Sequence, residues 1–236
     1  MKIIILSIVP YKEKDAIIDA LSEDGDITFL AKGIMDPKNK NAALNNILSI
    51  ADIELNEGNY KYPVLKSSSI ISNPMKLQND YYYLASLLFI AEATKTLLQD
   101  EEKQAIFPDL VAAVTLLKGS NDVWPILLAY TAKIFKMSGY EFSVNQCVFC
   151  GTKQRIVTFS FPDGGFVCEN CFEEGMAKDL TNPQMLLIRS AFNSEDFSKI
   201  QFKCSEEDAR VILNKFLEFI VESYGISLKS AALLKK

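Results

Sequence analysis

Up to residue 75 the chain alternates short apolar runs with turn signals. KIIILSIV (2–9), ITFLAKG (27–33) and ILSIADIELN (47–56) read as strands, rich in β-branched and aromatic residues. GNYKYPVLKSSSI (58–70) reads as a hairpin continuing into a fourth or fifth strand. Between the first two, EKDAIIDALSEDG (13–25) is expected as one helix, the alternative being a strand that ends in an Asp24–Gly25 turn. About five short strands joined by sequence-adjacent turns predict a small barrel or a sandwich.

From residue 77 the apolar spacing lengthens to three and four, the period of a helix. YYYLASLLFIAEATKTLL (81–98), FPDLVAAVTLLKG (107–119) and DVWPILLAYTAKIFKMSG (122–139) carry it first. TNPQMLLIRSAF (181–192) and SEEDARVILNKFLEFIVESYG (205–225) resume it. Asp122 is expected to cap the third helix, with Pro125 in its first turn and Gly139 as its stop. Ser205 and Asp208 form an approximate capping box. Core packing accounts for these stripes, Tyr81 to Tyr83 included. No internal repeat or low-complexity tract interrupts them. The chain is therefore of the α+β class: a β domain over residues 1–75, a helical domain over 76–236, and a module at 145–175 inserted in the latter.

Composition narrows the chemistry. A share of 49% apolar and 23% charged residues is that of a folded globular chain. The net charge of -5 points away from strong non-specific binding to nucleic acid. The absence of histidine removes Ser-His-Asp and Cys-His nucleophiles, histidine-ligated metals and the usual neutral-pH base. No phosphate-binding G-x-x-x-x-G-K-[ST] loop occurs. Acidic pairs such as Asp24 and Asp26, or Glu173 and Glu174, read as turn and surface charges, so no enzymatic activity is expected. The opening MKIIILSIVP imitates a signal peptide, but the charged YKEKD follows it in place of a small-residue cleavage site, and a strand is expected. LASLLFIAEATKTLL (84–98), interrupted by Glu92 and Lys95, is too short for a bilayer, so no membrane partner is expected. Five cysteines, an odd number, without a secretion signal indicate a reducing cytoplasm.

Four of those cysteines form two Cys-x-x-Cys pairs: Cys147 and Cys150, then Cys168 and Cys171. Pairs joined by about 15–20 residues are a zinc spacing, each pair offering two thiolates to one ion. IVTFSF and GFVC flank a turn of Pro162, Asp163, Gly164 and Gly165, a hairpin that returns the second pair to the first. Gly151 suits a turn needing positive φ. The expectation is one structural Zn²⁺ per chain, with four protein ligands and no open position. A metal-free site, redox pairs, disulfides and an iron–sulfur cluster stay as alternatives. Cys204 lies outside the module and reads as a small buried apolar residue.

The order of these parts carries a resemblance. IVPYKEKDAIIDALSEDGDITFLAKG (8–33) has a Y-x-E-x-D segment before a run ending in A-K-G, and PKNKNAALNNILSIADIELNEG (37–58) follows. GYEFSVNQCVFCG (139–151), FSFPDGGFVCENC (159–171) and LKS (228–230) complete the set over essentially the full length. The sequence resembles the RecO family of bacterial DNA repair and recombination mediator proteins. The resemblance implies an N-terminal OB-fold, a helical C-terminal domain and a zinc finger. It implies binding of single- and double-stranded DNA, annealing of complementary strands, and loading of RecA onto strands coated by single-strand-binding protein, together with RecR. It also implies a cytoplasmic, nucleoid-associated location.

The DNA-binding candidates are Tyr11, Lys12 and Lys14 in a first loop and Lys32, Lys38 and Lys40 in a second, with Lys61 and Tyr62 as further ones. The chain departs from the family pattern at Lys12, where glycine is usual, and in a second loop poorer in basic residues, with no arginine before Arg155. Lysine offers a point charge without bidentate geometry, and the nearby Glu13, Asp15 and Asp36 offset part of the attraction, so weaker and strongly salt-sensitive binding is expected. The alternative is a zinc-stapled adaptor that docks on single-strand-binding protein with weak or lost DNA binding.

Overall fold

The computed structural model describes residues 1–56, 61–75, 81–140 and 142–234. Five strands open the chain: β1 (Lys2–Tyr11), β2 (Asp15–Ser22), β3 (Gly25–Ala31), β4 (Ile50–Asn56) and β5 (Val64–Ser72). They close into a barrel in the order β1-β2-β3-β5-β4, with β1 paired back to β4 and β3 meeting β5 in parallel. This is the five-stranded OB barrel. The expected turn at 58–60 lies outside the described residues.

The helix expected over 13–25 is corrected: residues 15–22 are strand. DAIIDALS has a sequence that a helix accepts, but β1 and β3 pair with both of its edges. That pairing alternates the side chains, sending Ala16, Ile18 and Ala20 into the core and Ile17 and Asp19 outward. The same core takes Ile3 and Ile5 from β1, Phe29 and Ala31 from β3, and Ala51 and Ile53 from β4. Ala16, Ala20 and Ala31 share this core with the large Phe29, the mix of small and large side chains that a narrow barrel interior takes.

Two helices complete this first compact unit, Met1–Asn121: α1 (Tyr81–Leu97) and α2 (Asp100–Gly119). Lys95 on α1 pairs with Asp19 of β2, and Lys103 on α2 donates to Asp26 of β3 at 2.6 Å. Gln104 Nε2 donates to the Asp24 carbonyl at 2.7 Å. The last barrel strand ends at Ser72 and the first helix begins at Tyr81, while the compact units divide between Asn121 and Asp122. Helix α2 begins seven residues earlier than its apolar stripe, because Gln99 and Glu102 form a capping box over the polar stretch and Asp100, Glu101 and Glu102 favour the positive helix end. Tyr83 is buried as expected, whereas Tyr81 is exposed.

The second unit, Asp122–Lys236, holds α3 (Trp124–Met137), β6 (Ser143–Cys147), β7 (Ile156–Ser160), β8 (Gly165–Cys168), α4 (Asn182–Phe192), α5 (Glu206–Tyr224) and α6 (Ala231–Leu234). The sheet runs β6-β8-β7. Val123, not Asp122, occupies the cap position of α3; Asp122 instead accepts from the Trp124 amide at 3.2 Å. Ser205 does cap α5, accepting from the Asp208 amide at 3.1 Å, and Gly225 ends it at φ 68. Phenylalanines from every part of the unit meet in its core: Phe135, Phe142, Phe159, Phe192 and Phe216, with ring centroids 5.1–5.8 Å apart along the chain of contacts. Edge-to-face pairs dominate, the arrangement that ring quadrupoles prefer. Among the described residues no helix is long and apolar enough to cross a membrane.

Candidate metal centre and nucleic-acid face

The cysteine module is built locally. Cys147 ends β6, and its amide donates to the Thr152 carbonyl at 2.7 Å while the Gly151 amide returns to the Cys147 carbonyl at 2.9 Å. Gly151 stands at φ 74, the conformation expected of it. Gly165 opens β8 where a side chain has no room: a Cβ there would lie 2.6 Å from the Ser143 carbonyl oxygen. This close approach lets β6 run beside β8, a strand that its short, mixed SVNQC sequence does not announce.

The β7–β8 hairpin then returns Cys168 and Cys171 to the first pair, as the spacing requires. All four sulfurs lie within 4.8 Å of one another, with Cys150 Sγ and Cys168 Sγ 3.6 Å apart. A tetrahedron of thiolates with metal–sulfur bonds of about 2.3 Å has edges of about 3.8 Å, so the four residues fit one metal ion. The electrostatics agree. Burial pushes the Cys147 thiol up, but the amides of Cys150, Cys168 and Phe149 outweigh it and bring it down to about 6. Its neighbours Cys150 first, then burial and Cys168, push Cys171 up to about 12. The Cys147 charge adds to what holds Cys171 up, and a cation among the sulfurs would offset it. The module is braced outside: Arg189 of α4 and Asn193, which caps its C-terminal end, both donate to Asn145 Oδ1, at 3.2 and 3.1 Å. Cys204 stands apart and half-buried, its thiol pushed up to about 12 by burial and by Asp122 and Asp208.

On the barrel, the two lysine loops lie side by side. The Met35 amide donates to the Lys14 carbonyl at 2.9 Å, and the Gly33 amide to Asp15 Oδ1 at 2.7 Å. Tyr11 is 42% exposed at the end of β1, and Lys12 Nζ sits 5.3 Å from its ring centroid. Lys12 has φ 58, the left-handed backbone that favours the glycine usual at this place. Lys32, Lys38 and Lys40 are exposed. Lys14 is exposed too, and its ammonium pairs with Asp36 at 2.9 Å. The Lys38 amide and then Lys14 hold the Asp36 carboxyl below its ordinary range. Lys61 Nζ lies 5.2 Å over the Tyr62 ring. The outward apolar side chains beside the loops, Val9 at 52% and Met35 at 37% exposure, were not expected; strand alternation from Tyr11 back to Val9 is the signal that finds the first of them.

Together these features define a class of protein, an OB barrel joined in sequence to a helical unit organised around a four-thiolate ribbon. The family described as Recombination protein O N terminal matches residues 1–73, and Recombination protein O C terminal matches residues 78–232. The chain belongs to the RecO family of DNA repair and recombination proteins. It is 26% identical over 238 residues to the DNA repair protein RecO of Clostridium perfringens, covering 98% of this chain and 95% of that one. With that of Bacillus subtilis it shares 23% over 234 residues, covering 98% and 91%. With that of Halalkalibacterium halodurans it shares 21% over 234 residues, covering 98% and 92%.

Proposed function

We propose that this chain is a non-enzymatic recombination mediator that binds single- and double-stranded DNA, anneals complementary strands, and assists RecA loading together with RecR on strands coated by single-strand-binding protein. The observation that carries the reading is the Met35–Lys14 backbone bond, which joins two lysine loops beside an exposed tyrosine on one rim of an OB barrel. Lysines there attract phosphates, and Tyr11 offers a ring on which a base stacks for about 1–3 kcal/mol. Lys14 contributes less than a free ammonium would, because Asp36 already offsets it. With roughly three or four phosphates neutralised, log affinity falls against log salt with a slope of about -2 to -4.

The metal we assign is zinc. It suits four thiolates in a tetrahedron, and with every position filled by protein it acts as a structural staple. A cytoplasmic, nucleoid-associated location follows from the same reading.

The test is annealing of two complementary labelled oligonucleotides beside a salt titration of single-strand binding. Lys38→Glu with Lys40→Glu should weaken binding at low salt and flatten the slope; unchanged affinity removes these loops from the interface. That last result, with single-strand-binding protein still captured, would favour the adaptor reading, which the Lys14–Asp36 pair supports.

A further inference from the structure

The second unit carries a groove of about 630 Å³ between the ribbon and α5, whose chemistry is opposite to that of the barrel rim. Its floor is aromatic: Phe159, Phe161 and Phe219, with the Phe161 and Phe219 centroids 5.7 Å apart. Asp163 of the ribbon and Glu173, Glu174 and Asp179 of the segment that follows it line the groove, together with Glu218 and Glu222 of α5. A single cation, Lys215, answers these six carboxylates. Its ammonium pairs with Asp179 and approaches Glu218 to 3.9 Å. Asp179 first, against the counter-effect of burial, and then Glu218 and Glu222 raise its pKa. The groove therefore already holds one ammonium on its α5 side, while among the described residues Glu173 and Glu174 have no ion pair.

We propose that this groove docks a basic, apolar-interleaved segment of a protein partner. Cationic side chains would meet the carboxylate walls and lie over the Phe161 and Phe219 rings, an arrangement that adds attraction to the ring faces. Its volume suits the few side chains of an extended peptide. The six carboxylates repel nucleic acid and acidic peptides, so the site goes beyond the DNA reading and does not depend on it.

The test uses the full chain and a fluorescein-labelled decapeptide of alternating arginine and leucine, followed by anisotropy at physiological ionic strength. Each exposed charge pair is worth about two- to threefold, so Glu173→Gln, Glu174→Gln and Glu222→Gln together should weaken binding about tenfold. Glu23→Gln, Glu101→Gln and Glu207→Gln, which remove the same charge elsewhere, should leave it unchanged. Lys215→Met should tighten binding by freeing Asp179 and Glu218. Absence of wild-type binding, equal weakening in both triple variants, weaker binding by Lys215→Met, or complete displacement by an equal charge of spermidine overturns the proposal.

Discussion

Lys103 and Asp26 form an ion pair whose two ends differ in burial, and that asymmetry makes a quantitative prediction. The Lys103 side chain keeps 10% of its exposure, Asp26 keeps 44%, and they meet at 2.6 Å. Asp100, 3.9 Å away and 92% exposed, adds little screening of its own. Asp26→Ala strands an ammonium in a nearly dry place between α2 and the barrel. The expected loss is about 2 kcal/mol, below the full penalty of a buried charge because the lysine stem lets the head reach some water. Lys103→Met keeps the apolar stem and leaves a carboxylate free to rehydrate, so its loss is about 0.5–1 kcal/mol. Urea unfolding by circular dichroism reads the totals, and backbone hydrogen exchange of peptides covering β2 and β3 locates them. At about 1.4 kcal/mol per factor of ten, opening at β3 should rise about thirtyfold in the first variant and no more than about fivefold in the second. Equal losses in the two variants would refute the argument that burial of one end sets the energy.

Lys12→Gly should stabilise the barrel by about 0.5 kcal/mol: left-handed strain of about 1–2 kcal/mol is relieved and partly offset by the greater freedom of unfolded glycine. The same change should lower the salt slope of DNA binding by about 0.7–0.9, and a slope that does not move places Lys12 off the interface. Cys147→Ser should drop metal content, measured by plasma mass spectrometry, from about one ion per chain and raise hydrogen exchange across 143–171, because ligand binding and local folding are coupled. Oligonucleotide binding should persist in that variant; its loss from an intact fold would make the metal more than a staple. Burial raises the Asp19 carboxyl, yet Lys95, Thr28 and Ser7 together hold it below 3.8. Its stabilisation is present above the unfolded value and lost as pH falls through the lower folded one, so Asp19→Asn should flatten the fall of the urea midpoint as the pH drops below about 4. A midpoint that falls with pH equally in both proteins would assign acid sensitivity to other carboxylates.

The cysteine site was the most legible feature because its ligands are close in sequence. Two turns and one hairpin suffice to gather the sulfurs, and Gly151, Gly164 and Gly165 mark where those turns fall. The lysine loops were legible as residues but not as charges. Asp36 could be read as an acid near the loops, but nothing local says that it answers Lys14, 22 positions before it, in particular. Lys12 shows a third case, in which the departure from the family's glycine could be seen and only the backbone φ of 58 shows its physical consequence.

The sequence by itself determined the periods: a run of strands first, helices later with a hairpin between the thiol pairs, and a metal-sized spacing of those thiols, because each depends on residues within a few turns of one another. Tertiary structure decided between helix and strand for DAIIDALS, where pairing with β1 and β3 on both edges outweighs a local preference. It also decided that α1 and α2 join the barrel unit, through Lys95 and Lys103 reaching Asp19 and Asp26 more than 70 positions away. And it assembled Phe159, Phe161 and Phe219 under a wall of carboxylates, a site that exists only where distant segments converge. Such contacts gain their energy from removing surface and charge from water, and no local stretch of chain records which partner will do that.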